Sequence, residues 1–205
     1  MTLLPTTSLH DELMFIRSIQ IFEGIYRQVA MNVSRAITAL NENAIESACQ
    51  VLCDAAGRIE ATSVLYRVLT TMPKKSFGII RENTHGRSAI QSRWFHKVQA
   101  ACAPIARDAQ TANEPTIVTG SNLQDLYLDC KEQIPPRQRD KLTASMKRLD
   151  QAWGSMKLNH WGITVKIIGT VPGTGGTAGA SYLKASAEKS LFPSLHLYSS
   201  NGGEA

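Results

Sequence analysis

A long helical periodicity that begins at His10 constrains the fold of this chain most strongly. From His10 to Leu40, apolar side chains recur at steps of three and four residues, which places them on one face of a helix of about nine turns. A second helix is predicted from about Ala44 to Thr71, and another helical segment from Arg137 to Ile168. No convincing strand pattern is present. The sequence therefore predicts an all-α protein, a single helical-bundle domain.

Shorter helices are predicted between the long ones. Ser8 is the predicted N-cap of the first helix, and Pro73 ends the second and opens a short helix through Phe77 and Arg81. The other predicted helices run from about Ser88 to Ala106 and from about Asn122 to Lys131, with a polar loop between them. We predict one domain over residues 1–205, in which residues 193–205 form a flexible Ser- and Gly-rich tail.

Composition and charge narrow the class of protein. The chain has 205 residues, enough for one domain with a core, and a net charge of +5 from scattered basic residues. A small basic cluster at residues 135–141 is interpreted as a solvated helix start, so no nucleic-acid partner is predicted. No apolar run reaches the roughly 18 residues that span a membrane, and the N-terminus does not resemble a secretory signal. We predict a cytoplasmic protein without membrane contact.

The four cysteines indicate free thiols. Cys49 and Cys53 share one helix face, but there is no CxxC motif and no histidine at zinc-ligand spacing. Thiols in a reducing compartment fit this pattern better than a disulfide framework or a zinc site.

A glycine-rich stretch follows the last long helix. Residues 173–178, Gly-Thr-Gly-Gly-Thr-Ala, match the dinucleotide pattern GxGxxA. That fold needs a βαβ unit of about 30 residues and an acidic partner about 20 residues further on, neither of which is evident here, and the Gly-Lys-Ser/Thr ending of a P-loop is also missing. We interpret the glycines as backbone that approaches a ligand closely, with the Thr174 hydroxyl available for hydrogen bonding.

Three further residues have two interpretations each. His160, in an apolar helical run, is either a core histidine or a ligand for a metal or haem. His10 is either a surface residue at a helix start or part of a site. Arg81 lies in an apolar segment, and an arginine buried there needs an anion, which is either a structural carboxylate or a substrate carboxylate.

Taken in order, these segments resemble one known family. The matching segments are residues 8–16 (SLHDELMFI), 67–73 (RVLTTMP), 77–81 (FGIIR), 88–92 (SAIQS), 159–160 (NH), 168–169 (IG), 173–176 (GTGG) and 182–183 (YL). They resemble tryptophan 2,3-dioxygenase and the wider superfamily of histidine-ligated, haem-dependent aromatic oxygenases. The resemblance covers roughly residues 5–100 and 150–185.

The resemblance implies a haem b cofactor and specific roles. His160 would be the proximal iron ligand, with Gly175 and Gly176 also contacting the cofactor. His10 would be the catalytic distal histidine and would hydrogen-bond the substrate. The substrate-binding residues would be Arg81 on the carboxylate, Thr174 on the amino and carboxylate groups, and Phe77 and Thr6 lining the pocket.

The implied reaction inserts oxygen from O2 into the aromatic ring of tryptophan or a substituted indole amino acid, in specialised metabolism. A homodimer or homotetramer is implied as well. Departures from the family pattern widen the pocket: Thr6 and Ala180 stand where aromatic residues are usual, and Lys157 and Lys166 stand in place of arginines. A monooxygenase that hydroxylates a tyrosine-derived or other aromatic substrate is the alternative, and a non-catalytic haem sensor is a third interpretation.

Overall fold

Helices make up the regular structure of the described chain. The computed structural model describes residues 4–83, 92–104, 121–169 and 179–195, and no strand occurs among them. The helices are α1 (His10–Asn41), α2 (Ile45–Leu69), α3 (Lys74–Asn83), α4 (Arg93–Cys102), α5 (Leu123–Cys130), α6 (Pro136–Ile168) and α7 (Ala180–Ala187). The predicted all-α fold is confirmed.

The core lies between α1, α2 and α6, and the most extensive contacts are those of α2 with α6 and of α2 with α1. Val33 of α1, Leu52 of α2 and Leu149 of α6 are completely buried there. Burying a side chain of this size stabilises the fold by about 1.5–3 kcal/mol. The apolar periodicity that predicts these three helices therefore also predicts which of their faces meet.

An aromatic cluster joins α4 to this core. The ring of Phe95 stacks on Trp153 of α6, with centroids 4.8 Å apart, and meets Tyr26 of α1 edge-on at 5.5 Å. Trp153 is fully buried, and its indole N–H has no hydrogen-bond partner among the described residues. This cluster fixes α4 across α1 and α6.

The predicted cap of α1 is wrong. Leu9, not Ser8, precedes the first helical turn, and its side chain makes no capping hydrogen bond. The carboxylate of Glu12 reaches back to the residues before the helix instead. At α4 the helix begins at Arg93, with Ser92 as its N-cap at 3.1 Å from the Phe95 amide, and it ends at Cys102, before the predicted end.

The chain after α6 contains an element that the sequence pattern did not predict. α7 packs against α6, and the residues that follow it are also packed: Leu191, Phe192 and Leu195 are buried. The Ser194 amide donates to Oε1 of Gln124 at 2.9 Å. The predicted tail therefore includes three described residues, 193–195, and its remainder lies outside the described residues.

Two further findings concern the cysteines and the length of the helices. All four cysteines are free thiols, as predicted. In the ranges that the structure describes, no helix combines the length and the apolar character needed to cross a membrane.

Candidate active site

Three of the elements that carry candidate residues meet. α3 contacts both α1 and α6. Phe15 of α1 and Phe77 of α3 pack edge to face, with ring centroids 5.6 Å apart and planes at 80°. This arrangement brings the helices of His10, Arg81 and His160 to one region of the molecule.

His160 lies in a well-defined environment. Its ring stacks on Tyr66 of α2 at a centroid distance of 6.2 Å, and Tyr66 in turn packs on Phe22 of α1 at 4.9 Å. Burial lowers the pKa of His160 to about 4, so the imidazole is neutral at pH 7. No described residue forms a hydrogen bond with the ring, while Thr164 donates to the backbone carbonyl of the same residue. The ring nitrogens are therefore available as ligands.

His10 lies in the opposite kind of environment. Its side chain is 93% exposed, at the first position of α1. Its Nε2 is 3.2 Å from a carboxylate oxygen of the buried Asp11. The imidazole can accept or donate a hydrogen bond at this position, but the described residues do not enclose it.

Glu12 organises the chain next to His10. The amide and hydroxyl of Thr6 donate to Oε1 at 2.7 and 2.8 Å, and those of Thr7 donate to Oε2 at 2.6 Å each. Burial raises the pKa of the Glu12 carboxyl, but these four hydrogen bonds outweigh it and lower the pKa to about 2. The hydroxyl of Thr6, a predicted pocket residue, is therefore committed to Glu12.

Phe77 and Arg81 share one face of α3, because they are four residues apart on a helix. Both are partly exposed. Arg81 already interacts with another part of the chain. A guanidinium has five N–H donors in a planar fork, so an internal partner leaves donors for a carboxylate.

The glycine-rich candidates cannot be placed. Thr174, Gly175 and Gly176 lie outside the described residues. The residues that flank this stretch, Gly169 and Gly179, have φ angles of 73° and 62°, a conformation that side chains with a Cβ rarely adopt. Glycine is therefore required where the chain leaves α6 and where it enters α7.

A groove between α2 and α6 borders Tyr66. Its volume is about 580 Å³, and it is open to solvent. Tyr66 and Ile163 are its buried lining residues, and Arg67 and Lys166 contribute positive charge. His160 is not among the residues that line this groove, although Asn159 and Gly162 of the same helix are.

Sequence reasoning missed three residues of this region. Tyr66 and Glu12 contact candidate residues, and Lys157, recognised only as a departure from the family pattern, is a buried lysine one turn before His160. A sequence signal existed only for Lys157, which lies four residues after the buried Trp153 and therefore on the same helix face. The contact between Tyr66 and His160 joins residues 94 positions apart, which no local pattern reveals.

Comparison with known proteins gives a consistent result. No family model matches the sequence. The tryptophan 2,3-dioxygenase of Bradyrhizobium diazoefficiens is 24% identical over 235 residues, which cover 93% of this chain and 84% of that protein. The tryptophan 2,3-dioxygenase of Bradyrhizobium sp. strain ORS 278 is 24% identical over 239 residues, with the same coverage. With the helical fold and the ordered motifs, these matches support a distant relationship between the chain and the tryptophan 2,3-dioxygenases.

Proposed function

We propose that this chain is a haem-dependent oxygenase that inserts oxygen from O2 into the aromatic ring of tryptophan or a substituted indole amino acid. The observation that carries the proposal is the state of His160: a neutral imidazole with free nitrogens, at the position that matches the family's iron ligand. The names of the relatives support an oxygenase that acts on tryptophan.

The residues present fit a haem better than a bare metal ion. No group of three or more potential metal ligands occurs among the described residues. A haem brings four nitrogen ligands of its own and needs one imidazole from the protein. His160 would hold it, with the ring of Tyr66 stacked against its imidazole.

Haem, when bound, supplies the redox chemistry that activates O2. The protein's own residues would bind and orient the substrate. Arg81 would pair with the substrate carboxylate, and His10 would exchange a hydrogen bond with a polar group on the aromatic ring system. The Phe15–Phe77 pair offers an aromatic wall, which favours a flat substrate ring.

The substrate is proposed to be larger than, or different from, plain tryptophan. Thr6 and Ala180 are small at positions where the family pattern has aromatic side chains. Smaller side chains leave room for a substituent on the indole ring. A hydroxylation of a tyrosine-derived substrate would use the same wider space and is the outcome that the product analysis must distinguish.

We also propose that the chain acts as a homodimer or homotetramer. His10 is exposed, and two large apolar side chains near it, Leu4 and Leu13, are 75% and 48% exposed. A second copy that covered this end would exclude water from the substrate. Light scattering on the haem-loaded protein tests this, and a monomeric mass would contradict it.

Three measurements test the oxygenase proposal. The purified chain is supplemented with haem, and an absorption spectrum without a Soret band would end the proposal. The ferrous protein is then titrated without oxygen against an aromatic amino-acid panel, in which an indole amino acid should perturb the spectrum most. Mass spectrometry of the product made with labelled O2 counts the oxygen atoms inserted.

A further inference from the structure

Helix α7 has no apolar anchor of its own. It contains eight residues, and none of them is buried. A helix this short is unstable alone in water. Its position must therefore come from contacts with the rest of the protein, and α6 is the helix it packs against.

Lys157 of α6 provides one of these contacts. Its ammonium donates to the carbonyl oxygen of Ser186 at 2.7 Å and to the carbonyl oxygen of Lys189. Both carbonyls lie at or just beyond the C-terminal end of α7, where the helix dipole favours a cation, and the Ser186 carbonyl also accepts a hydrogen bond from the Lys189 amide at 3.3 Å. The contact is thus the C-terminal cap of α7, provided by another helix.

This lysine is unusual because it is buried. It is only 5% exposed, and burial lowers its pKa to about 8, with Asp150 opposing and Lys189 adding to that effect. Keeping an ammonium group out of water is unfavourable unless its hydrogen bonds are made. The two carbonyls of the α7 segment satisfy that requirement.

Trp161 provides a second contact. The ammonium of Lys184 in α7 lies 5.9 Å from the centre of the Trp161 ring. Lys157 and Trp161 lie three residues before and one residue after His160, so they bracket it within one turn of α6. Lys157, the earlier of the two, contacts residues 186 and 189, whereas the later Trp161 contacts residue 184. Because this order is reversed, α7 lies antiparallel to the turn of α6 that carries His160.

The chain after α7 has a separate anchor. Asp150 accepts hydrogen bonds from the Leu191 amide at 2.6 Å and from the Ser190 hydroxyl at 2.7 Å. Leu191 and Phe192 are buried beyond it. Removing the Lys157 contact should therefore release α7 without releasing the segment that follows.

We propose that Lys157 is a positioning residue, which holds α7 against the turn of α6 that carries His160 and thereby sets access to the His160 imidazole. The inference deepens the proposed function, because His160 is the proposed iron ligand. The placement of α7 itself does not depend on a cofactor, so it can be tested in the cofactor-free chain.

The test compares Lys157→Met, which keeps the length but removes the charge and the donors, with Lys157→Arg. Lys141→Met, at an exposed position of α6, is the matched control. Hydrogen exchange of amides 183–187 should be roughly tenfold faster in Lys157→Met, while the amides of α2 and α6 stay protected. Lys157→Arg and Lys141→Met should behave like the unmodified chain.

Access to His160 is measured with diethyl pyrocarbonate, which modifies neutral imidazoles, followed by mass spectrometry. The exposed His10 in the same molecule is the internal reference. The modification rate of His160 relative to His10 should rise several-fold in Lys157→Met and stay unchanged in the two comparison variants. If Lys157 only contributed to overall stability, the amides of α6 would exchange faster as well, so their protection separates a local effect on His160 from a general loss of stability.

Two results would overturn the inference. One is unchanged exchange of α7 in Lys157→Met, and the other is faster exchange of α7 with an unchanged modification rate of His160. If Lys157→Met does not fold, Lys157→Gln takes its place with the same expectations, because its side chain is one atom shorter than lysine, carries no charge and would not reach both carbonyls. A chain that binds no haem would defeat the proposed function and leave these results standing, since none of them requires haem.

Discussion

The two histidines of the candidate site lie in contrasting surroundings. His160 is held in the helical body by the stacked ring of Tyr66 and is neutral because burial lowers its pKa to about 4. His10 is 93% exposed at the start of α1. The surroundings of His160, the proposed iron ligand, are thus formed by α2 and α6 of one chain. The described residues do not enclose His10, which is proposed to face the substrate. The two sides can therefore be perturbed separately.

The largest expected effect comes from His160→Ala. This variant should lose stable haem binding, because it removes the one imidazole that is proposed to hold the iron. His10→Ala should keep the Soret band, as should the control His96→Ala in α4. Added imidazole should restore part of the haem spectrum of His160→Ala. If that variant bound haem with the unmodified spectrum, the contrast between the two histidines would be wrong.

Arg81→Ala tests the substrate side with the next largest effect. Loss of a charge-assisted bond to a carboxylate should weaken binding of an aromatic amino acid roughly 10- to 100-fold, while haem binding stays unchanged. Titration of the ferrous protein without oxygen measures both. The control is Arg17→Ala, an exposed arginine of α1 that bonds to Gln20. A variant that unfolds would show that Arg81 is structural and that the substrate role is wrong.

Much of the fold could be predicted because the long helices carry their own pattern. The predicted first helix starts at the observed residue, His10, and the third long helix ends at the observed residue, Ile168. Periodicity over eight or nine turns averages out local irregularities. Helix α7 could not be predicted in this way, since none of its residues is buried and its position depends on a lysine elsewhere in the sequence.

For the candidate site, the sequence predicted only which residues take part, because their order along the chain resembles that of the family's motifs. That order named His160 and His10, but it did not reveal that one ring is partly enclosed and stacked on Tyr66 while the other is exposed. The cap of α1 shows the reason. Ser8 fits the local rule for an N-cap, yet the hydrogen bonds go to Glu12, because its carboxylate can accept four donors from the residues before the helix. Which acceptor the donors near a helix start bind depends on the three-dimensional arrangement of the chain and cannot be read from local sequence alone.

Glu12→Gln tests whether the chain beside His10 is held as the structure shows. An amide cannot accept the four donors of Thr6 and Thr7, so this variant should lose about 2 kcal/mol of stability at pH 7. The folded pKa of Glu12 is about 2, below the ordinary 4.5. Its contribution is therefore present above pH 4.5 and is lost as the pH falls towards 2.

Urea unfolding of the cofactor-free chain across this pH range provides the measurement. The difference between the unmodified chain and Glu12→Gln should be largest at neutral pH and should vanish towards pH 2. Glu42→Gln, an exposed glutamate at the other end of α1, is the control and should change little. A difference that did not depend on pH would mean that the four hydrogen bonds do not depend on the ionised carboxylate.

The smallest expected effect concerns the ring that orients His160. Tyr66→Phe keeps the stacked ring and removes only the hydroxyl, whereas Tyr66→Leu removes the stack. An aromatic contact contributes about 1 kcal/mol, so haem should leave Tyr66→Leu roughly fivefold faster, while Tyr66→Phe should stay close to the unmodified chain. The rate is followed by transfer of haem to an excess of a scavenging globin.

Equal rates in all three proteins would show that the His160 ring needs no support from α2, and the preformed side of the site would then consist of α6 alone. A fast rate in Tyr66→Phe as well would assign the effect to the hydroxyl rather than to the ring. The graded result, with only the leucine variant affected, would tie the preformed state of His160 to the packing of α2 on α6, the same contact that forms the core of the fold.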